Sequence, residues 1–292
     1  MLTITGATGR VGTAAVQALL QGRQAVTAIC RNEEKAAPLR QAGARIAIAD
    51  MKDTGSLKKA LEGTTVLFII TPESGKEKDV LGETHQLLNS VRQAIVQAGV
   101  QKIIGLSSAG AQYSSGTGNL LMSHMLEHAF TGMPIRQTFI RPAYYFSNWM
   151  MYLPVMQKHN TLPGFFPTDF RLPMIAPEDV GAFAATAMTA PLNEEQVYEL
   201  EGPQAYSTAD VAAAFSIVLN KHITAQQVPH DQWESTLQKT GFTPDAVRMF
   251  TEMTDAVIQG KAKREGRNTE LVKLHTTLEQ YITQHLHQPA TA

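Results

Sequence analysis

Through the first half of the chain, short β-branched apolar runs alternate with longer stretches of helical periodicity. "LTIT" (2–5) precedes a helix from about Arg10 to Leu20, and "AVTAIC" (25–30) precedes "NEEKAAPLRQAG". "ARIAIAD" (44–50) leads into "TGSLKKALEG", and "TVLFII" (65–70) into a helix from about Asp79 to Ala98. "QKIIGLSS" (101–108) and "IRQTFIRP" (135–142) continue the series, so six strands are expected before residue 143. Strands that are apolar without interruption are buried on both faces, and helices between them act as crossovers. Right-handed crossovers then predict an α/β fold, a doubly wound parallel sheet of Rossmann type over residues 1–150.

Beyond that point the pattern changes. "MMYLPVMQKHNTLPGFFPTDFRLPMIAPEDVG" is rich in Pro, Met and aromatic residues. It is followed by a predicted helix 179–190, strand 196–202, helix 207–219, strand 223–229 and mostly helix thereafter. Ser207 with Asp210 has the spacing of a capping box, with Asp in place of the usual Glu or Gln. Residues 151–292 therefore read as a smaller α+β substrate-side lobe, part of one compact unit. The polar stretch "QGKAKREGRNTE" (259–270) is expected as an exposed loop or a frayed helix end, with no claim to be a binding site.

The 292 residues are 43% hydrophobic and 17% charged with a formal net charge of -1, which offers no basic surplus for nucleic acid or an anionic membrane. No apolar run approaches the roughly 20 residues needed to cross a bilayer. The first predicted strand begins at the second residue, so no targeting segment is expected, and the single cysteine, Cys30, fits a reducing compartment. Cytoplasmic placement is the expectation, and a homodimer is left open.

"TITGATGRVG" puts Gly6, Gly9 and Gly12 directly behind the first strand and at the start of a helix. A helix N-terminus offers free N–H groups and a positive dipole end, and glycines remove the Cβ atoms that would keep an anion away. In a βαβ unit this context points to a dinucleotide pyrophosphate, although the Gly-x-x-Gly-x-x-Gly spacing differs from the commoner G-x-G-x-x-G. The second strand ends in "ICRN", where an acidic residue would favour NAD(H). Arg31 instead suits a 2′-phosphate, which favours NADP(H) over NAD(H); its alternative is a surface ion pair with Glu33 or Glu34. Asp50 either meets the adenine amino group or caps the next turn.

Together, "TGATGRVG", "CRNEEKA", "IAIADMKD", "KIIGLSSAGA" and "IRPAYYFSNW" resemble the NmrA-like family of atypical short-chain dehydrogenases/reductases, most clearly over residues 1 to 150. The resemblance implies a Rossmann domain holding NADP(H) and a small C-terminal lobe that forms a cleft. It implies that Gly6, Thr8, Gly9, Arg10, Val11 and Gly12 cradle the pyrophosphate and that Arg31 meets the 2′-phosphate. It further implies Asp50 and Met51 at the adenine, and Thr71, Pro72, Ser107 and Pro142 at the nicotinamide end. Members of the family include NAD(P)H-dependent quinone or azo reductases, reductases of plant phenolics, and dinucleotide-binding regulators that do not turn the cofactor over.

The Tyr-x-x-x-Lys pair of standard alcohol and ketone chemistry is absent: none of the seven tyrosines is followed by Lys at that spacing, and no lysine lies between Lys102 and Lys158. The remaining candidates are His124 and Glu127, placed at i and i+3 on one helix, as a proton relay or as a structural pair. Tyr144, Tyr145, Phe146 and Trp149 form an aromatic run at the sheet edge where a flat substrate could stack, or where rings fill a junction between lobes. Arg141 is expected to satisfy buried carboxylate or carbonyl partners. No metal-ligand spacing is present. Two functions fit: an NADPH-dependent reductase of a flat small-molecule acceptor such as a quinone or azo compound, and a non-catalytic NADP(H)-binding redox sensor.

Overall fold

The computed structural model describes residues 1–286. Its first half runs β1 (Leu2–Ile4), α1 (Arg10–Gln21), β2 (Val26–Cys30), α2 (Glu33–Gln41), β3 (Arg45–Ile48), α3 (Thr54–Ala60), β4 (Val66–Ile69), α4 (Val80–Ala98), β5 (Lys102–Leu106), α5 (Leu120–His128) and β6 (Arg136–Pro142). The second half continues with β7 (Tyr144–Tyr145), α6 (Ser147–Met150), α7 (Leu153–His159), β8 (Thr161–Gly164), β9 (Leu172–Ile175), α8 (Pro177–Thr189) and β10 (Val197–Glu201). It ends with β11 (Ala205–Tyr206), α9 (Thr208–Leu219), β12 (Thr224–Gln227), α10 (Trp233–Lys239), α11 (Pro244–Ile258), β13 (Glu270–Lys273) and α12 (Leu278–His285).

The main sheet is eight-stranded and parallel in the order β13-β10-β6-β5-β4-β1-β2-β3. The order reverses between β1 and β4, and a crevice opens at the carboxyl ends of the strands at such a reversal. The fold is therefore the α/β, doubly wound one. Two of its strands come from beyond residue 151, since β10 lies against β6 with Val197 opposite Phe139, and β13 closes that edge. β13 falls where mostly helix was expected. Its sequence, ELVK, is mostly exposed and reads as polar, as a charged strand at an open edge does. The rest of the second half packs around Phe146, Trp149, Phe166, Tyr206, Phe215 and Tyr281, and two small sheets, β11-β9-β7 and β12-β8, stiffen it. Ser207 and Asp210 do form a capping box at the start of α9.

Two features tie the halves together. α8 lies against α1 so closely that a Cβ on Gly181 would stand 2.5 Å from both Val11 O and Ala14 Cβ. Near the strand ends, the buried Arg141 guanidinium donates to both oxygens of buried Glu127 at 2.8 and 2.6 Å and to Glu265 at 2.6 Å. Glu199 on β10, also buried, accepts the Glu265 N–H at 2.6 Å and the Thr269 hydroxyl at 2.8 Å. The polar stretch 259–270 is thus an anchored loop that ends in a strand, because its backbone supplies the donors a buried carboxylate requires.

Gly181→Leu is expected to destabilise the protein by about 3 kcal/mol, since helix backbone rather than a movable side chain meets the new atoms. Glu127→Ala should cost about 3 kcal/mol, the low end for breaking a buried pair, because Glu265 still faces the guanidinium. Urea denaturation midpoints of each variant against the parent measure both.

Candidate functional site

The loop from β1 into α1 turns on Gly6, whose φ of +60° lies in the left-handed region and whose added Cβ would stand 3.1 Å from Ile70 Cβ at the end of β4. Gly12 is more crowded, with a Cβ position 2.4 Å from Gly6 O and 2.8 Å from Ala7 Cα. These two glycines let the helix start directly against the loop. Gly9 differs from both: the only atom near its Cβ position is Gly6 O, at 3.4 Å, and the space beyond is open. α1 starts from Gly9 without a side-chain cap, and among the described residues no protein acceptor takes the N–H of Thr8, Arg10, Val11 or Gly12. Uncapped first-turn donors at the positive end of a helix, beside an open glycine face, fit a phosphate group. The Val11 side chain points into the core, so only its N–H is on offer.

Arg31 follows β2 and is exposed. Glu33, one of its two candidate partners, pairs instead with Arg40 at 2.6 Å, and among the described residues Arg31 makes no ion pair. Arg31, Lys52, Thr71, Pro72 and Met122 line one cavity of about 170 Å³, so the cation after β2 and the residues after β4 share a space. Asp50 is exposed and its carboxylate accepts the Lys52 N–H at 2.9 Å, closing the turn after β3. The Met51 side chain is buried in the cluster that includes Leu57, Leu87 and Leu88.

At the other strand ends, Ser107 and Pro142 are buried, and the Ser107 hydroxyl donates to Glu127 at 2.5 Å. Glu127 therefore faces Ser107 and Arg141, and it does not meet His124. The His124 ring nitrogen Nδ1 lies 2.9 Å from Ala111 O, and the ring packs on His128 with centroids 4.1 Å apart. The i, i+3 spacing brought the two residues to one helix, but a buried guanidinium claims the carboxylate, which is the stronger partner. Tyr144 stands edge-on to Phe166 at 5.6 Å and lies 5.8 Å from Trp149, so with Phe146 these rings fill the core of the second half. Tyr145 points the other way, toward the main-sheet core, with its hydroxyl buried and without a partner. Burial raises both hydroxyls well above the ordinary phenol range, so neither ionises near neutrality.

The sequence reading singled out no carboxylate in the loop after β4, yet Glu73 stands there. Its carboxylate accepts from Asn119 Nδ2 at the start of α5, and among the described residues it has no cationic partner. Desolvation pushes its carboxyl above the usual range, outweighing the Asn119 bond, and Glu77 adds to the rise. Glu73 as a whole is exposed on its loop. The only signal in the sequence was its place just past Thr71.

The profile of the NmrA-like family matches residues 1–282. Among curated proteins, the NAD(P)H azoreductase of Xenophilus azovorans is 25% identical over 256 residues, 87% of this chain and 86% of that protein. Quinone oxidoreductase 2 of Escherichia coli (strain K12) is 28% identical over 250 residues, 85% of this chain and 84% of that protein. Of solved structures, the NADPH complex of an Escherichia coli NADPH-dependent quinone oxidoreductase superposes with a TM-score of 0.81 at 25% identity, covering 98% of this chain and 100% of that one. The NADP(H) complex of a Citrobacter sp. triphenylmethane reductase gives 0.80 at 23% identity over 97% and 99%. With the whole Rossmann half and most of the second half matched, the chain belongs to the NmrA-like family.

Proposed function

We propose that this protein is an NADPH-dependent reductase that passes hydride to a flat aromatic acceptor, a quinone or an azo compound. The observation that carries the cofactor is the face at Gly9, where open space meets unclaimed N–H groups at a helix start. Arg31, exposed and without an ion pair among the described residues, supports the 2′-phosphate and hence NADP(H) over NAD(H). The acceptor class is supported by the azoreductase and quinone oxidoreductase among its relatives. A reducing compartment such as the cytoplasm suits a single buried thiol.

In this scheme Gly6, Thr8, Gly9, Arg10, Val11 and Gly12 hold the pyrophosphate, and the main chain at Asp50 and Met51 borders the adenine. Thr71, Pro72, Ser107 and Pro142 border the nicotinamide. When bound, the nicotinamide supplies a hydride. The protein positions the two partners and keeps water out, which for aligned reactants is itself a large part of a rate enhancement. Ser107, Glu127 and Arg141 form a rigid floor under the strand ends, since each is fixed by the others. A quinone or azo group forms no alkoxide that would call for a Tyr-Lys pair.

Absorbance of NADPH followed with a panel of quinones and azo dyes tests the reading. Acceptor-dependent oxidation is expected, whereas tight NADPH binding with no oxidation across the panel would assign the protein to the sensing members of the family. Gly9→Val should abolish NADPH binding by titration while leaving the circular dichroism spectrum unchanged, because its side chain fills only ligand space. Arg31→Ala should weaken NADPH by roughly 10- to 150-fold, the effect of losing about 1.5–3 kcal/mol of charge-assisted contact, and leave NADH within a few-fold. The difference should shrink as salt rises. Dissociation constants for both cofactors in both proteins decide it, and equal losses would mean that Arg31 supports the loop alone.

A further inference from the structure

The loop that leaves β4 forms one wall of the cavity of about 170 Å³. Three cations and two carboxylates line this space: Arg31, Lys52 and Lys76, with Glu77 and Glu83. Most of that charge is paired within the wall. Lys52 meets Glu83 at 2.5 Å, and the other Glu83 oxygen accepts the Lys78 N–H at 2.8 Å. Glu77 accepts the Ser74 hydroxyl at 2.6 Å and the Ser74 N–H at 3.1 Å. Among the described residues neither Arg31 nor Lys76 makes an ion pair. Two uncommitted cations therefore border one small cavity.

The backbone that carries Lys76 is pinned on both sides by the second half of the chain. Gly75 O accepts the Thr243 N–H at 2.9 Å, and Glu77 O accepts the Thr243 hydroxyl at 2.5 Å. The Phe242 ring presses on the same turn, since a Cβ added to Gly75 would stand 2.7 Å from it. Within the loop, the Lys76 N–H donates to Ser74 Oγ at 3.2 Å. Lys76 is exposed, and its Nζ lies 3.7 Å from where a Cβ on Gly241 would be, so the ammonium has the turn after α10 beside it and no carboxylate. Arg31 reaches the same cavity from the other side, from the end of β2.

We propose that Lys76 is a second determinant of NADP(H) selectivity, holding the 2′-phosphate together with Arg31, an inference that rests on the NADPH reading above. A phosphate monoester carries nearly two negative charges at neutrality, more than one guanidinium neutralises. At about 30 Å³ per water molecule, a cavity of about 170 Å³ holds a phosphate and its first waters, so cations on its walls face the same group. An ammonium binds phosphate as a point charge and needs no fixed fork, which suits a side chain that reaches in from an exposed loop. Lys52 takes no such part without giving up Glu83, and Lys78 is not among the lining residues. The two cations come from different parts of the fold. Arg31 is set by β2, whereas Lys76 is set by Thr243, so preference for the phosphorylated cofactor depends in part on the second half of the chain.

Calorimetric titration of the full-length parent and of Lys76→Met and Lys76→Arg variants with NADPH, NADH and 2′,5′-ADP tests this without any acceptor or turnover. Lys76→Met should weaken NADPH and 2′,5′-ADP by about 10-fold, the low end for losing a charge-assisted contact, and leave NADH nearly unchanged. Lys76→Arg should keep most of the parent's affinity for all three. The loss in Lys76→Met should shrink as salt rises. Combined with Arg31→Ala, it should leave a protein that binds NADPH no more tightly than NADH. Because Lys76 is exposed, the urea midpoint of each single variant should stay at the parent value. A Lys76→Met protein with the parent's full preference for NADPH over NADH overturns the proposal and leaves the Arg31 contact standing. Equal losses for NADPH and NADH also overturn it, because they assign Lys76 to the loop alone. A parent that binds NADPH no better than NADH overturns the NADP(H) reading and this inference with it.

Discussion

The structure depends on how closely α1 is approached on both sides. At its start, Gly12 allows the first turn to sit on the backbone of Gly6 and Ala7; on its flank, Gly181 allows α8 to lie against Val11 and Ala14. A side chain at either place would push backbone away from backbone, and no rotamer change could relieve it. One consequence is local, since the helix is delivered with its unpaired N–H groups at the open face of Gly9. The other is global. α8 belongs to the second half of the chain, so the helix with the unclaimed first-turn N–H groups is gripped by the segment that also carries β10 into the main sheet. The glycine loop and the second half of the chain are therefore packed together through α1 and α8.

Charge is arranged on the same plan. Arg141 stands at the end of β6 with almost no exposed surface, and such a cation persists only when its partners are at hand. Glu127 comes from the helix after β5 and Glu265 from the loop before β13, so the guanidinium joins three separate parts of the chain across the strand ends. Glu199 secures the same loop from the opposite side with main-chain donors. Where charge is compensated in this way, the groups are fixed in place by their partners. This is the physical reason that His124 and Glu127 do not meet: the carboxylate is held by Ser107 and Arg141, and the imidazole packs on a carbonyl and on its neighbour His128.

Much of the first half was legible in the chain itself. Unbroken apolar runs of strand length separated by helical periodicity allow few folds, and the glycine spacing behind the first strand pointed to the tight turn from β1 into α1, where Gly6 and Gly12 are crowded by their neighbours. The second half was less legible for identifiable reasons. β13 is exposed and charged, so its pairing with β10 leaves no hydrophobic pattern. Helical spacing brings His124 and Glu127 to neighbouring positions but does not reveal that a guanidinium waits on a strand fourteen residues later. The aromatic run after β6 was visible as a cluster, whereas the alternation that turns Tyr144 into the second core and Tyr145 toward the first depends on the short β7 pairing with β9.

Glu73 shows the limit most clearly, and also its cause. Nothing in "TPESGK" distinguishes that glutamate from a solvated loop residue, because its character comes from what other segments do around it. Phe242 and Thr243 press its loop down, Asn119 supplies one neutral bond, and no cation approaches among the described residues. At the strand ends Arg141, Glu127, Glu265 and Glu199 are held by one another and by the 265–269 loop, whereas Glu73 bonds a neutral amide. What this loop carboxylate meets is decided by Asn119 and by the 242–243 turn, segments far along the chain, and contacts of that range leave no local pattern in the sequence.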